Sequence, residues 1–195
     1  LLETALEEPD ADTVQRLATW ETQTQAVLSE VVAYLPAALP HDPLGESPLA
    51  ELLAQGLMAK LNADVAMVHG GVLLAGLPAG PVTCGDLLRI CPCNLNPTLI
   101  SVAGQTLLEL LALPAEAFAQ PAGRNGMRGD TVAGRIFGLG LAQIDPDRIY
   151  RVACNDYLAL GCGPFQLMKG AATDIRFEMD QLLRDTLREV LTCVR

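Results

Sequence analysis

Asp64-Val-Ala-Met-Val-His-Gly-Gly71 is an apolar run that stops at a pair of glycines. A short apolar run closed by glycine predicts a strand buried on both faces, followed by a loop that needs an unhindered backbone. Just beyond it, Leu77-Pro-Ala-Gly80 reads as a turn. Thr83 then caps a short helix through Ile90, with Asp86 favourably placed in its first turn.

On the N-terminal side, Ser47-Pro48 opens a helix with a capping hydroxyl and a proline at the first turn. Leu49, Leu52, Leu53, Leu57 and Leu61 form its apolar stripe, and Asn62 is its stop. Pro36 to Pro48 is a proline-rich linker. Before it, Val14, Leu17, Leu28, Val31, Val32 and Leu35 recur at helical spacing. They predict an amphipathic helix from Asp12 to about Tyr34, ended by Pro36.

On the C-terminal side, Pro92 to Pro97 reads as an irregular loop, Thr98 to Val102 as a strand and Gln105 to Leu113 as a helix. Gln120 to Gly129 is polar and glycine-rich, hence loop. Thr131 to Ala142 fits neither the helical nor the strand period. Arg148 to Ala153 alternates like a strand, Gly161 to Pro164 is a sharp turn, Asp174 to Glu178 a short strand and Asp180 to Leu191 a closing helix. Helices and strands mix without a regular strand-helix-strand rhythm. The expected fold is therefore one α+β domain, a mixed sheet flanked by helices and preceded by a long linker helix.

Composition narrows the function. Half of the 195 residues are hydrophobic, enough for a sizeable core. The net charge of −10 disfavours a nucleic-acid surface, which needs a basic stripe. Of the six cysteines, Cys91 and Cys93 are too close in sequence for a zinc knuckle, and His41 and His69 fall in no ligand pattern. No metal or cofactor is expected within this chain. Free buried thiols are the simplest state, with disulfides left open for an exported protein. The uncharged window from Val65 to Gly85 carries five glycines and two prolines, so strands and turns explain it better than a membrane span. The chain begins Leu1-Leu2, and a piece of a longer protein is the expectation, any signal peptide lying upstream.

Four segments, in order, resemble the C-terminal domain of 5'-nucleotidases. Glu46-Ser-Pro-Leu-Ala-Glu-Leu-Leu-Ala-Gln-Gly-Leu-Met58 is similar to that family's E-S-x-L-G-N-L helix. Ala63 to Gly80 resembles its A-D-x-A-x-x-N-x-G-G-I-R-x-x-L-P-x-G strand and loop. Cys91 to Gly104 is similar to its P-F-x-N loop and following strand. Asp145-Pro-Asp-Arg-Ile-Tyr-Arg-Val-Ala-Cys-Asn-Asp-Tyr-Leu-Ala-Leu-Gly161 resembles its D-P-x-x-x-Y-x-V-A-x-N-D-F-L-A-x-G segment, with Phe165 on the last aromatic.

The resemblance implies that residues 1–40 are the linker helix from a missing N-terminal metallophosphoesterase domain and residues 41–195 the C-terminal domain. It implies a parent enzyme, a phosphoric ester hydrolase of nucleotide catabolism. Two divalent metal ions would sit in the N-terminal domain, leaving this chain alone inactive. The partners implied are that domain and a nucleotide-like small molecule, in an extracytoplasmic (periplasmic or secreted) setting. The substrate-binding positions carried over are Tyr157, His69, Gly70, Gly71, Cys93, Asn155, Asp156 and Gly163.

Several of those positions depart from the pattern. Tyr157 keeps a stacking ring, but Cys93 stands where the family has a second aromatic. Leu74 replaces the loop arginine, His69 the loop asparagine and Gly163 the ribose-binding aspartate. Each lost charged contact weakens binding by about 1.5–3 kcal/mol. The alternative is therefore a degenerate binding or structural module, without catalysis, that no longer binds nucleotides. Arg124, Arg128 and Arg135 are candidate replacement cations, against the plainer reading of solvated loop arginines. Plainer readings stand beside the other positions too: Tyr157 as a packed ring, His69 as a hydrogen-bonded loop histidine, Asn155 and Asp156 as turn formers, and the glycines as sources of backbone freedom.

Overall fold

The computed structural model describes residues 10–114, 117, 135–162 and 165–194. Its centre is a five-stranded mixed sheet in the order β5 (Ile136–Leu139), β2 (Val65–His69), β6 (Ile149–Asn155), β4 (Pro97–Ala103), β7 (Thr173–Phe177). Among the described strands only β2 and β6 pair in parallel; β5 pairs antiparallel with β2, and β4 antiparallel with both β6 and β7. A second, two-stranded sheet joins β1 (Val31–Leu35) to β3 (Gly80–Thr83).

Every residue of β2 is buried, because the sheet is covered on both faces. Alternation along β2 divides the core accordingly. Ala66 and Val68 pack with Leu49, Leu53 and Leu57 of α2 (Pro48–Leu61) and Leu187 of α6 (Leu183–Leu191). Val65 and Met67 pack with Leu107 and Leu110 of α4 (Gly104–Leu111) on the other side. The α2 stripe is as its leucine spacing predicts. Ser47 caps it through an Ala50 N–H bond of 3.1 Å, and Asn62 ends it in the left-handed region at φ 49°. Thr83 and Asp86 form a full capping box at α3 (Cys84–Ile90).

The first helix is shorter than its periodicity predicts. α1 spans Ala11–Leu28, is capped by Asp10 rather than Asp12, and buries none of its residues. Val31 to Leu35 continue the helical spacing but form β1. Their β-branched and aromatic side chains suit a strand, and β3 supplies the partner edge. β3 itself lies where the sequence suggests only a turn.

The ambiguous stretch near residue 138 contains strand β5. A Cβ at Gly138 would lie 2.2 Å from the Ala66 carbonyl on the neighbouring strand, so the glycine that hides the strand pattern permits the pairing. The expected loop at Gln120–Gly129 lies outside the described residues, as do Arg124, Arg128, Gly163 and Pro164.

Candidate functional site

The parallel pairing of β2 with β6, Val65 opposite Val152 and Ala66 opposite Ala153, brings their C-terminal ends to one edge of the sheet. β4 runs the other way, and Pro97 at its start lies opposite Asn155 at the end of β6. The loop before β4 therefore reaches the same edge. Chain segments leaving the carboxyl ends of parallel strands are where open sheets with helical cover most often build binding sites. The segments holding His69, Cys93 and Tyr157 are thus gathered by topology.

The first segment is the turn after β2. His69 is buried, and its Nδ1 accepts a hydrogen bond from the Gly71 N–H at 3.2 Å, which closes a one-turn 3₁₀ helix, Gly70–Val72. Gly70 does not adopt a left-handed backbone here. Its need is space: a Cβ would lie 2.8 Å from the Pro43 carbonyl and 3.0 Å from the Phe137 ring. Leu74, two residues past this turn, is 56% exposed.

The second segment follows β6. Asn155 is buried and accepts the Leu158 N–H at 2.8 Å, starting the single helical turn α5 (Asp156–Ala159). Asp156 accepts the Tyr157 N–H at 2.8 Å and donates its own N–H to the Asn96 carbonyl at 3.1 Å. Both side chains thus shape the turn, and Tyr157 is the half-buried ring it presents.

Phe165 joins the two segments. Its ring, almost wholly buried, stands edge-on to His69 at 5.3 Å and to Tyr157 at 6.2 Å between centroids. Edge-to-face contacts of this kind hold rings in fixed relative orientation. Sequence reading placed an aromatic at 165 but not its role as the bridge.

Cys93 sits half-buried in the third segment. That loop is held from the α6 side. Arg184 donates to the Pro92 carbonyl at 3.3 Å and to Asn94 Oδ1 at 3.0 Å, and the Asn96 amide donates to the Gln181 carbonyl at 2.7 Å. Neighbouring Cys91 is buried, and burial pushes its thiol up to about 12, so it stays protonated and unreactive at neutral pH.

A further histidine braces the site from below. His41 Nδ1 lies 2.5 Å from Ser47 Oγ, the cap of α2. Its other nitrogen is buried near the Gly70 and Leu73 backbone without a hydrogen bond of good geometry. Burial lowers the pKa of this ring, the nearby carbonyls and Asp42 opposing the shift in part. Nothing in the spacing of the sequence marked His41.

Among the described residues, no group of three or more His, Cys, Asp or Glu side chains is placed to hold a metal ion. Nor is any described helix long and apolar enough to cross a membrane. A hollow of about 880 Å³ borders α1, lined by Leu17, Trp20 and Leu28 among others, rather than the sheet edge.

Residues 26–170 match the family model described as "5'-nucleotidase, C-terminal domain". The chain is 31% identical to an uncharacterized metallophosphoesterase, YunD, of Bacillus subtilis (strain 168) over 199 residues, covering 91% of this chain and 43% of that protein. It is 29% identical to endonuclease YhcR of the same organism over 164 residues, 80% of this chain and 14% of that protein. The chain therefore spans less than half the length of these relatives. In fold it is similar to a 5'-nucleotidase precursor from Thermus thermophilus, with a TM-score of 0.73 at 18% identity, covering 94% of this chain and 41% of that one.

Proposed function

The chain belongs to the 5'-nucleotidase C-terminal-domain family, and we propose that it is the substrate-recognising part of a metal-dependent phosphoester hydrolase. The observation that carries this reading is the convergence of the glycine turn, the loop before β4 and Tyr157 on one sheet edge, with Phe165 locking the rings. In this proposal residues 1–40 lead from an N-terminal metallophosphoesterase domain, with β1 already docked on the recognition domain. The match to YunD, of which this chain corresponds to 43%, supports such an arrangement.

Phosphoester hydrolysis of this type uses two metal ions that clamp the phosphate and activate water. The described residues offer no ligand set for them, so the metal centre belongs to the other domain in this reading. This chain would bind and orient the leaving group: Tyr157 by stacking, the turn at His69–Gly71 by its polar backbone, and Asn155 and Asp156 by fixing the Tyr157 turn. Alone, it would be catalytically silent. The Thermus neighbour is a precursor, which supports an extracytoplasmic setting.

Leu74 and Cys93, in place of a cation and an aromatic, favour a substrate other than an ordinary nucleoside monophosphate. They also support the second reading, a module that has lost catalysis. The deciding experiment is hydrolysis of a broad panel of phosphate mono- and diesters by the full-length protein, with divalent metal and with chelator. Metal-dependent turnover of any of them is the expected result. Inertness across the panel would leave the non-catalytic module.

A further inference from the structure

The chain has two histidines, His41 and His69, and both are set against one short turn, Gly70–Val72. His69 opens that turn. Its Nδ1 accepts the Gly71 N–H at 3.2 Å, which an imidazole nitrogen does only while it carries no hydrogen. His41 reaches the turn from residues 36–47, the segment between β1 and α2. Its Nε2 is buried near the backbone of Gly70 and Leu73, and its Nδ1 lies 2.5 Å from Ser47 Oγ.

Backbone bonds tie this segment to the turn and to the chain beyond it. The Pro43 carbonyl accepts the Arg135 N–H at 2.8 Å, and the Arg135 carbonyl accepts the Gly70 N–H at 2.9 Å. Leu39 and Leu77 exchange backbone hydrogen bonds at 2.8 and 2.9 Å.

The hydrogens on His41 follow from its partners. Ser47 is fully buried, and its Oγ accepts the Ala50 N–H at 3.1 Å to cap α2. Its hydroxyl hydrogen is then directed at His41 Nδ1, which puts the ring hydrogen on Nε2, beside the turn. A second proton would make Nδ1 a donor. The Ser47 hydroxyl would lose its acceptor where water does not reach, and a half-buried ring would carry charge.

The charged groups around the ring are few. Asp42 and Glu46, on its own segment, are exposed, and Asp42 favours a charged ring. Arg135, just before β5, is a like charge: its guanidinium carbon lies 5.3 Å from the centre of the Phe137 ring, which His41 meets at 6.3 Å. Gly70 and Leu73 of the turn and Ser47 of the α2 cap bring none. Burial, the largest influence, lowers the pKa of His41 from the ordinary 6.5.

We propose that His41 is a proton-operated latch: neutral, it holds the 36–47 segment against the Gly70–Val72 turn, and protonated, it releases the turn and the α2 cap. The latch is closed above pH 6.5 and opens as pH falls through the lower folded value. His69 acts in the same sense, because a proton on its Nδ1 breaks the Gly71 bond. The consequence for substrate, weaker recognition in acid, rests on the phosphoester-recognition reading above. The latch itself is tested without substrate.

The test is nuclear magnetic resonance of the ¹⁵N-labelled protein from pH 8 to pH 5. The His41 ring nitrogens should titrate below pH 6.5. The Ala50 and Leu73 amides should shift along the same curve, while Val152 at the sheet centre stays in place. Hydrogen exchange at Leu73, corrected for its intrinsic pH dependence, should quicken up to about tenfold between pH 7.5 and pH 5.5. In folded His41→Gln the Ala50 and Leu73 responses should vanish, and a response left at Gly71 belongs to His69. Should that variant fail to fold, the wild-type curves decide. The inference is overturned by a His41 ring that titrates while Ala50 and Leu73 stay in place, or by one that stays neutral down to pH 5. An undiminished response in folded His41→Gln overturns it too. Inertness of the full-length protein toward phosphoesters would remove the recognition reading and leave the latch standing.

Discussion

The imidazole of His69 stands at 82° to the ring of Phe165, with centroids 5.3 Å apart. Because Phe165 meets Tyr157 in the same way on another side, the turn after β2 and the corner after β6 share one aromatic anchor. The mouth of the site is therefore set by a core side chain. Removing it should be felt in both places. Phe165→Ala should lower unfolding free energy by about 3–5 kcal/mol, measured by urea denaturation, and should broaden the amide resonances of Gly71 and Tyr157. A loss below about 1 kcal/mol would show that Phe165 is not the anchor.

His41 makes stability depend on pH. Its pKa is lowered in the folded chain from the ordinary 6.5, chiefly by burial, so the fold favours the neutral ring. A depressed pKa means that the folded state binds fewer protons than the unfolded state as pH drops. His41's contribution is thus fully present above about pH 6.5 and is lost as pH falls through the lower folded value. Urea midpoints followed by circular dichroism from pH 8 to pH 5 should decline at the acid end, and His41→Gln should decline less. Parallel pH profiles for the two proteins would refute this role.

Thiol chemistry should divide by burial. Cys91 and Cys154 are buried and their thiols are pushed up, Cys91 to about 12, while Cys193 is exposed. A chromogenic disulfide reagent at pH 8 should label Cys193 quickly, and Cys91 and Cys154 only when denaturant is added. Rapid labelling of Cys154 in the native chain would contradict its placement in the core.

Adenosine and AMP should bind this chain weakly or not at all, with a dissociation constant above about 1 mM by calorimetry. The reason is the replacement of charged and aromatic contacts by Leu74 and Cys93. Micromolar binding would mean that those losses are made good elsewhere on the edge.

How much of this could be read from sequence depended on whether a signal was local. α2 was legible because Ser47, Pro48 and four-residue leucine spacing each point the same way. β1 was not, because Val31, Val32 and Leu35 also fit the helical period, and only pairing with β3 decides between the two. β5 was hidden by Gly138, whose missing side chain matters only against Ala66 of another strand. In the candidate site, Tyr157 and His69 were singled out by the resemblance of their segments to the 5'-nucleotidase C-terminal domain. Phe165 as a bridge and His41 beside the turn are long-range relations, and no local spacing announces them.

The most direct measurement is steady-state hydrolysis by the full-length protein, with divalent metal, comparing wild type with Tyr157→Ala on whichever phosphoester the panel shows to be turned over. A ring that only stacks on the leaving group should leave kcat nearly unchanged and raise KM about tenfold, near 1.4 kcal/mol of binding. Equal KM values for the two proteins would mean that the sheet edge bearing Tyr157 does not recognise substrate.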